Sequence, residues 1–210
     1  SCGPHSRSGN LTSVGAVGRA MDARCARILF DSPAAQLKRY TAPEVRCRMN
    51  ADMLRRLGFE GFVSTSTLLS SRCAIVPTLP GVYAVVREAL GWPEFLPVSP
   101  AGPFKGKDPT IAPDYLRAKW VTGTNILYFG KAGAAGTAAT LRRRVSTYLR
   151  HGSGKPVGHW GGRAIWQLED AGALQIAWHA CAEEPRTLER RFLAEFEARH
   201  GMLPFANLTR

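Results

Sequence analysis

The sequence predicts an α+β fold in which a small mixed sheet, flanked by helices, follows a mainly helical N-terminal segment. Short runs of β-branched and aromatic residues, which are typical of strands, begin only after Pro80. Runs with apolar residues three and four positions apart, which are typical of helices, occupy residues 15–57 and return after residue 140. The change near Pro80 divides the chain into an N-terminal segment, residues 1–78, and a second domain, residues 79–210.

The N-terminal segment contains three helical runs, GAVGRAMDARCARILF, AAQLKRY and APEVRCRMNADMLRRLG. Pro43 suits the first turn of the third run, and Gly58 suits its end. The run GFEGFVSTSTLL, residues 58–69, indicates a turn followed by a short strand or the start of a helix. Residues 1–78 carry 11 Lys or Arg and 5 Asp or Glu, which is half of the net charge of +12. We therefore expect an accessory segment that shares the binding partner of the second domain.

Four strands are expected in the second domain: GVYAVV from Gly81, ILYF from Ile126, AIWQL at residues 164–168 and LQIAW at residues 174–178. Asp170, Ala171 and Gly172 between the last two runs indicate a hairpin turn. A long insertion at residues 87–124, rich in proline and glycine, separates the first two strands. Loops of this length inside a compact domain are usually functional or disordered.

Two helices complete the predicted domain. The first is LRRRVSTYLRHG, from Leu141 to Gly152, in which Leu141, Val145 and Tyr148 have helical spacing. The second begins at Pro185, which suits a first turn, and ends before Gly201, which suits the position after a helix. In chain order, the first of these helices precedes the last predicted strand and the second follows it.

The charge of the chain indicates its class of partner. Lys and Arg number 28 against 16 Asp and Glu, and a strongly basic soluble protein favours nucleic acids, although a merely soluble basic surface has the same balance. No apolar run approaches the roughly 20 residues of a membrane helix, and the first ten residues lack the apolar region of a signal peptide. The five cysteines include no CxxC pair. We expect a cytoplasmic protein with no membrane partner.

Several short motifs point to one family when they are taken in order. They are Gly81-Val82-Tyr83, Tyr128-Phe129-Gly130, the basic helix from Leu141, Leu188-Glu189 and the closing Pro204-Phe205-Ala206-Asn207. In this order they resemble the GIY-YIG nuclease domain, and the resemblance covers roughly residues 80–210. The first 75 residues or so have no counterpart in it.

The resemblance implies a phosphodiesterase site on two neighbouring strands. Tyr83 and Tyr128 would line it, one activating the attacking water and the other orienting it or binding phosphate, although either tyrosine is also a common core residue of strands. Arg144 matches the catalytic arginine of the family and would hold phosphoryl oxygens. Tyr148, one turn later, would face the same site. Gly130 would let phosphate or a helix backbone approach closely.

The metal ligand implied by the resemblance is one glutamate early on the last helix. Glu189 fits the pattern, and Glu195 competes with it because of its distance to Asn207. A single carboxylate with open water positions suits Mg²⁺ or Mn²⁺. The alternative for either glutamate is a surface ion pair with Arg190 or Arg186.

The remaining polar motif residues are assigned to nucleic-acid binding. These residues are Lys131, Arg142, Arg143 and Asn207. Lys131 either contacts phosphate or is a solvated surface lysine, and Asn207 braces the site by hydrogen bonds or caps a turn. His151 is expected to be exposed. His159, in the run GHWGG, receives no assigned place.

The sequence thus predicts a hydrolase, a metal-dependent endonuclease whose expected partner is double-stranded DNA. The span from Tyr83 to Tyr128 exceeds the short hairpin of most family members, which indicates a DNA-binding loop elaborated as in restriction-type members. A palindromic target would call for a homodimer. The alternative is a nucleic-acid-binding protein whose nuclease site is degenerate.

Overall fold

The computed structural model describes residues 49–89, 91–133, 138–181 and 183–208. The predicted helices before residue 49, with Pro43, lie outside these ranges. The strands are β1 (Glu60–Ser64), β2 (Gly81–Val86), β3 (Ile126–Ala132) and β4 (Gln175–Ala180). The helices are α1 (Ala51–Arg56), α2 (Thr65–Ser70), α3 (Pro113–Ala118), α4 (Leu141–Gly152), a 3₁₀ helix (Arg163–Gln167) and α5 (Pro185–His200). None of the helices within these ranges is long and apolar enough to cross a membrane.

The four strands form one sheet in the order β1-β4-β2-β3. Every pairing in it is antiparallel, so the prediction of a mixed sheet is wrong, while the α+β class is confirmed. The reason is the direction of β4, which returns between β1 and β2 and runs opposite to both. No parallel neighbours, which would need a crossover connection, therefore arise among the described strands.

The strand β1 shows where the sheet-containing unit begins. Glu60 pairs with Trp178 and Ser64 pairs with Gln175 in the register of β1 and β4. Ahead of it, Asn50 caps α1, and the amide of Ala51 donates to the side chain of Asn125 at 2.9 Å. Described residues from Met49 onward thus belong to the same compact unit as the sheet. The boundary predicted after residue 78 falls inside this unit, because strand pairing joins segments that are far apart in sequence.

The sheet is the middle layer of three, which is why all six residues of β2 are buried. Val82, Ala84 and Val86 face a layer that contains Phe192 and Phe196 of α5. Tyr83 and Val85 face the opposite layer, which contains side chains of α4 and the 3₁₀ helix. This alternation follows from the two-residue period of a strand. Tyr83 and Tyr128, the tyrosines of the two signature motifs, both face the layer that contains α4.

The run AIWQL at residues 164–168 is not a strand. Residues 164–167 lie in the 3₁₀ helix, Leu168 forms an isolated antiparallel bridge with Phe95, and the whole run is buried. A short apolar run between glycines fits a buried strand and a buried helical turn equally well, so periodicity alone does not separate them. The predicted hairpin at residues 170–172 is therefore also wrong, because these residues form a turn that leads from the 3₁₀ helix towards β4.

The insertion at residues 87–124 is ordered by contacts with the 3₁₀ helix. It carries α3, and its apolar residues Phe95, Leu116 and Trp120 are buried in the core. The buried amide of Gln167 donates to the carbonyl groups of Leu96 at 2.9 Å and Ile111 at 2.7 Å, and it accepts from the amide of Ile111 at 2.8 Å. The insertion is thus part of the fold around the candidate site.

Candidate active site

The paired strands β2 and β3 bring the two signature tyrosines together. Tyr83 pairs with Gly130, and Tyr128 pairs with Val85 two positions away, so both tyrosines lie on one face. Their ring centroids are 5.9 Å apart. A Cβ built on Gly130 would lie 2.5 Å from the ring of Tyr83, which means that the glycine makes room for this ring and not, as expected, for a phosphate or a helix backbone.

Helix α4 adds Tyr148 and Arg144 to the same cluster. Its first turn is fixed because Thr140 caps it and the amide of Leu141 donates to the carbonyl of Leu79 at 2.8 Å. The ring centroid of Tyr148 is 6.1 Å from that of Tyr83 and 6.1 Å from that of Tyr128. The Arg144 guanidinium lies close enough to lower the pKa of Tyr83 and of Tyr128 against the effect of burial.

Glu189 of α5 contacts the strand β3 close to Gly130. Its carboxylate is 13% exposed and forms an ion pair with Lys131, which directly follows Gly130. The same carboxylate raises the pKa of Tyr128, so its charge lies near that tyrosine. Glu195 instead pairs with Arg199 one turn further along α5. Of the two candidates, Glu189 is therefore the one that contacts β3 and whose charge acts on Tyr128.

His159 belongs to the cluster, although no place was assigned to it from the sequence. Its Nε2 lies 2.7 Å from the hydroxyl of Tyr83, and its ring centroid is 4.4 Å from that of Tyr148. A Cβ on Gly162 would approach the ring of Tyr148 to 3.0 Å. The signal for this site was therefore the histidine together with the two glycines of GHWGG, which let the turn pack closely on the tyrosines.

Burial sets the protonation states of the cluster. It raises the pKa of Tyr83 and Tyr148 well above 10, and it raises the pKa of Tyr128 to about 12. Burial lowers the pKa of His159 to about 3, and the nearby charge of Arg144 acts in the same direction. At neutral pH the cluster thus contains three neutral phenols and a neutral imidazole beside one guanidinium.

His151 is buried, so the prediction that it is exposed is wrong. Its ring nitrogens have no hydrogen-bond partner among the described residues. The insertion explains the burial, because the amide of Gly102 donates to the carbonyl of His151 at 2.8 Å and covers the last turn of α4. Burial lowers the pKa of this histidine, and the charge of Arg163 lowers it further.

The four predicted nucleic-acid contacts divide into two groups. Lys131 is partly exposed beside Glu189, and Arg143 is exposed on α4. Arg142 instead donates to the carbonyl groups of Val76 and Ala74, both at 2.7 Å. Asn207 is buried; its side chain accepts from the amide of Phe129 and donates to the carbonyl of Phe129, each at 2.9 Å. These bonds give Arg142 and Asn207 a structural part in holding a turn and the strand β3.

Comparisons with models of known protein families, with curated proteins and with solved structures gave no match. Within the part of the chain that the structure describes, no group of three or more His, Cys, Asp or Glu side chains could hold a metal ion. The function is therefore inferred from the geometry around Tyr83, Tyr128, Arg144 and Glu189 and from the order of the motifs that contain them.

Proposed function

We propose that the protein is a metal-dependent endonuclease that hydrolyses phosphodiester bonds of DNA, as its resemblance to GIY-YIG nucleases implies. The observation that carries the proposal is the convergence of side chains from four separate elements. The phenol groups of Tyr83 in β2 and Tyr128 in β3 are neighbours; the charge of Arg144 from α4 acts on both, and the charge of Glu189 from α5 acts on Tyr128. The net charge of +12 favours a polyanionic substrate.

The guanidinium of Arg144 supplies the charge that such a reaction needs. Negative charge grows on the phosphoryl oxygens in the transition state, and preorganised cations in a site shielded from water stabilise it strongly. The planar fork of arginine holds two phosphoryl oxygens at once. Arg144 is partly exposed, and its charge already acts on the buried phenols of Tyr83 and Tyr128.

His159 explains how a buried tyrosine can take part in proton transfer. A phenol whose pKa lies well above 10 does not ionise at neutral pH. Tyr83 can instead pass its own proton to Nε2 of His159, 2.7 Å away, while its oxygen accepts a proton from the attacking water. The tyrosine then carries no lasting charge, and the proton ends on the imidazole, whose positive charge the bound phosphate must stabilise because the pKa of His159 is about 3 without substrate.

The donor set fits a hard divalent cation. Glu189 offers one carboxylate at the edge of the tyrosine cluster, and Mg²⁺ is commonly held by one or two carboxylates together with substrate phosphates and waters. Such a cation, when bound, would neutralise charge on the phosphate. Lys131 shares this carboxylate in the ion pair, so its ammonium group must give way, at least in part, for a cation to bind.

The test is cleavage of a supercoiled plasmid by the purified full chain with Mg²⁺, with Mn²⁺ and with EDTA. The proposal predicts nicked or linear product in the presence of either metal only. Tyr83→Phe, purified in the same way, should give no product, which excludes a contaminating nuclease. Intact plasmid at protein concentrations that demonstrably bind DNA would contradict the proposal.

One observation favours the alternative function, a nucleic-acid-binding protein with an inactive site. Tyr83 and Tyr148 are fully buried, and His159 is 1% exposed. In this conformation a substrate phosphate therefore does not touch these three groups, whereas Arg144 is partly exposed. This alternative predicts salt-sensitive DNA binding that is equal in wild type and Tyr83→Phe, and it predicts no cleavage by either protein.

A further inference from the structure

The turn from His159 to Arg163 has a second face that the proposed chemistry does not use. His159 points into the tyrosine cluster, whereas the next residue, Trp160, is partly exposed. The guanidinium carbon of Arg163 lies 4.4 Å from the centroid of the Trp160 ring. A hydrogen bond of 3.3 Å from Nη1 of Arg163 to the carbonyl of Trp160 holds this arrangement. The turn therefore presents a stacked indole and guanidinium.

This stacked pair lies next to the groups proposed to receive the scissile phosphate. A Cβ on Gly161, which follows Trp160, would lie 3.5 Å from the hydroxyl of Tyr128. A Cβ on Gly162 would lie 3.0 Å from the ring of Tyr148. In a nucleotide only the sugar separates the phosphate from the base, so a phosphate beside Tyr128 brings a base towards Trp160.

A second aromatic and cationic pair stands near the first. Tyr115 of α3 is 56% exposed, and the ammonium of Lys119 lies 5.8 Å from the centroid of its ring. The hydrogen bonds between Gln167 and Ile111 tie the start of α3 to the 3₁₀ helix that contains Arg163. Burial lowers the pKa of Arg163, and Tyr115 acts in the opposite direction, as expected of neighbours.

We propose that Trp160 and Arg163 form a stacking site for an unpaired nucleobase beside the scissile phosphate. The inference rests on the proposed function, since it takes nucleic acid to be the substrate. Unpaired bases stack on aromatic rings and on guanidinium planes in single-strand recognition, and a cation over an indole adds attraction for the polyanion. In duplex DNA the base would be presented by local unpairing, which removes the target nucleotide from its stack.

The test measures binding without cleavage. The full chain, in EDTA, is titrated by fluorescence anisotropy with a single-stranded oligothymidylate of about twenty nucleotides and with an abasic strand of equal length and charge. Trp160→Ala should weaken binding of the oligothymidylate roughly 5- to 150-fold, the range expected for one stacked base, with little change for the abasic strand. Trp160→Phe should retain most of the affinity, because a ring remains.

The matched control is Trp92→Ala, since Trp92 of the insertion is 66% exposed. An equal loss in Trp92→Ala, an equal loss for both oligonucleotides in Trp160→Ala, or no loss at all would overturn the proposal. Thermal unfolding of Trp160→Ala identifies a folding defect, and in that case Trp160→Phe must still discriminate between the two strands as wild type does. A wild-type protein that binds the oligothymidylate more tightly than the abasic strand, but leaves plasmid intact, would contradict the endonuclease and not the stacking site.

Discussion

The ring of Tyr83 lies over the backbone of Gly130, the residue that faces it across β2 and β3. The two residues form a cross-strand pair in which the aromatic ring fills the space that a side chain on the glycine would occupy. This placement directs the Tyr83 hydroxyl towards His159. Gly130, the last residue of the motif Tyr128-Phe129-Gly130, therefore fixes the position of Tyr83, the last residue of the motif Gly81-Val82-Tyr83.

Gly130→Ala should destabilise the protein. The added methyl group would overlap the ring of Tyr83, and overpacking of a buried site typically costs about 1–3 kcal/mol of unfolding free energy. Urea unfolding of both proteins measures the difference. Gly172→Ala is the matched control, because a Cβ there meets no atom within 4 Å, and it should unfold as wild type does. Equal stability of all three proteins would show that the Tyr83 ring moves aside freely.

Arg144→Ala should lose activity mainly in the chemical step. Removal of one donor that stabilises transition-state charge typically lowers the rate roughly 10²- to 10³-fold. Arg144→Lys should restore only part of it, since lysine keeps the charge and loses the planar fork. Single-turnover cleavage of bound DNA is the measurement, with Arg143→Ala, an exposed residue of the same helix, as control. A slow Arg143→Ala together with a normal Arg144→Ala would refute the assignment.

Glu189→Gln should abolish cleavage while DNA binding survives or tightens, because a negative charge near the phosphate is removed. The loss should be accompanied by weaker binding of Mn²⁺, measured by calorimetry on the protein without DNA. Glu195→Gln is the control, since Glu195 pairs with Arg199 further along the same helix. Loss of Mn²⁺ binding in Glu195→Gln alone would move the metal ligand to that residue.

The buried imidazole of His159 should make the stability of the protein fall in mild acid. Its pKa is about 3 in the folded state and about 6.5 when unfolded, so between these values the unfolded chain binds more protons. Stability contributed by the neutral ring is present above pH 6.5 and declines as the pH falls towards 3, by roughly 2 kcal/mol between pH 7 and pH 5.

Urea unfolding at pH 7 and pH 5 measures this effect in wild type and in His159→Gln. The variant should show a smaller loss of stability over the interval, although His151, whose pKa burial also lowers, retains a share of the same sign. His151→Gln provides the companion measurement. Identical pH dependence in wild type and His159→Gln would mean that His159 is not buried as a neutral ring.

Local patterns predicted the parts of the fold that depend on local sequence. The bounds of α4 from Leu141 to Gly152 agree with the prediction, as do the start of α5 at Pro185 and Gly201 at its end, where φ is 75°. Capping residues and apolar spacing determine these features within a few positions of the chain. The strand β2 is also confirmed, because a short run of β-branched and aromatic residues suits a strand that is buried on both faces.

Long-range contacts are what the sequence did not disclose. The bond between Tyr83 and His159 joins residues 76 positions apart, and no local pattern records such a partner. The burial of His151 depends on an insertion that begins far upstream. The catalytic roles of Tyr83, Tyr128, Tyr148, Arg144 and Glu189 stay predictions, although the fold brings the three tyrosine rings together.

The position of β4 between β1 and β2 affects how the chain folds during translation. β1 and β2 leave the ribosome long before residues 175–180, yet they are neighbours of β4 and not of each other. Until β4 is made, each presents an unpaired strand edge, which is a template for aggregation. Pairing over such sequence distances is also slow. The nascent chain is therefore most prone to aggregation late in translation. A transcript truncated before β4 encodes a polypeptide in which no strand joins β1 to β2.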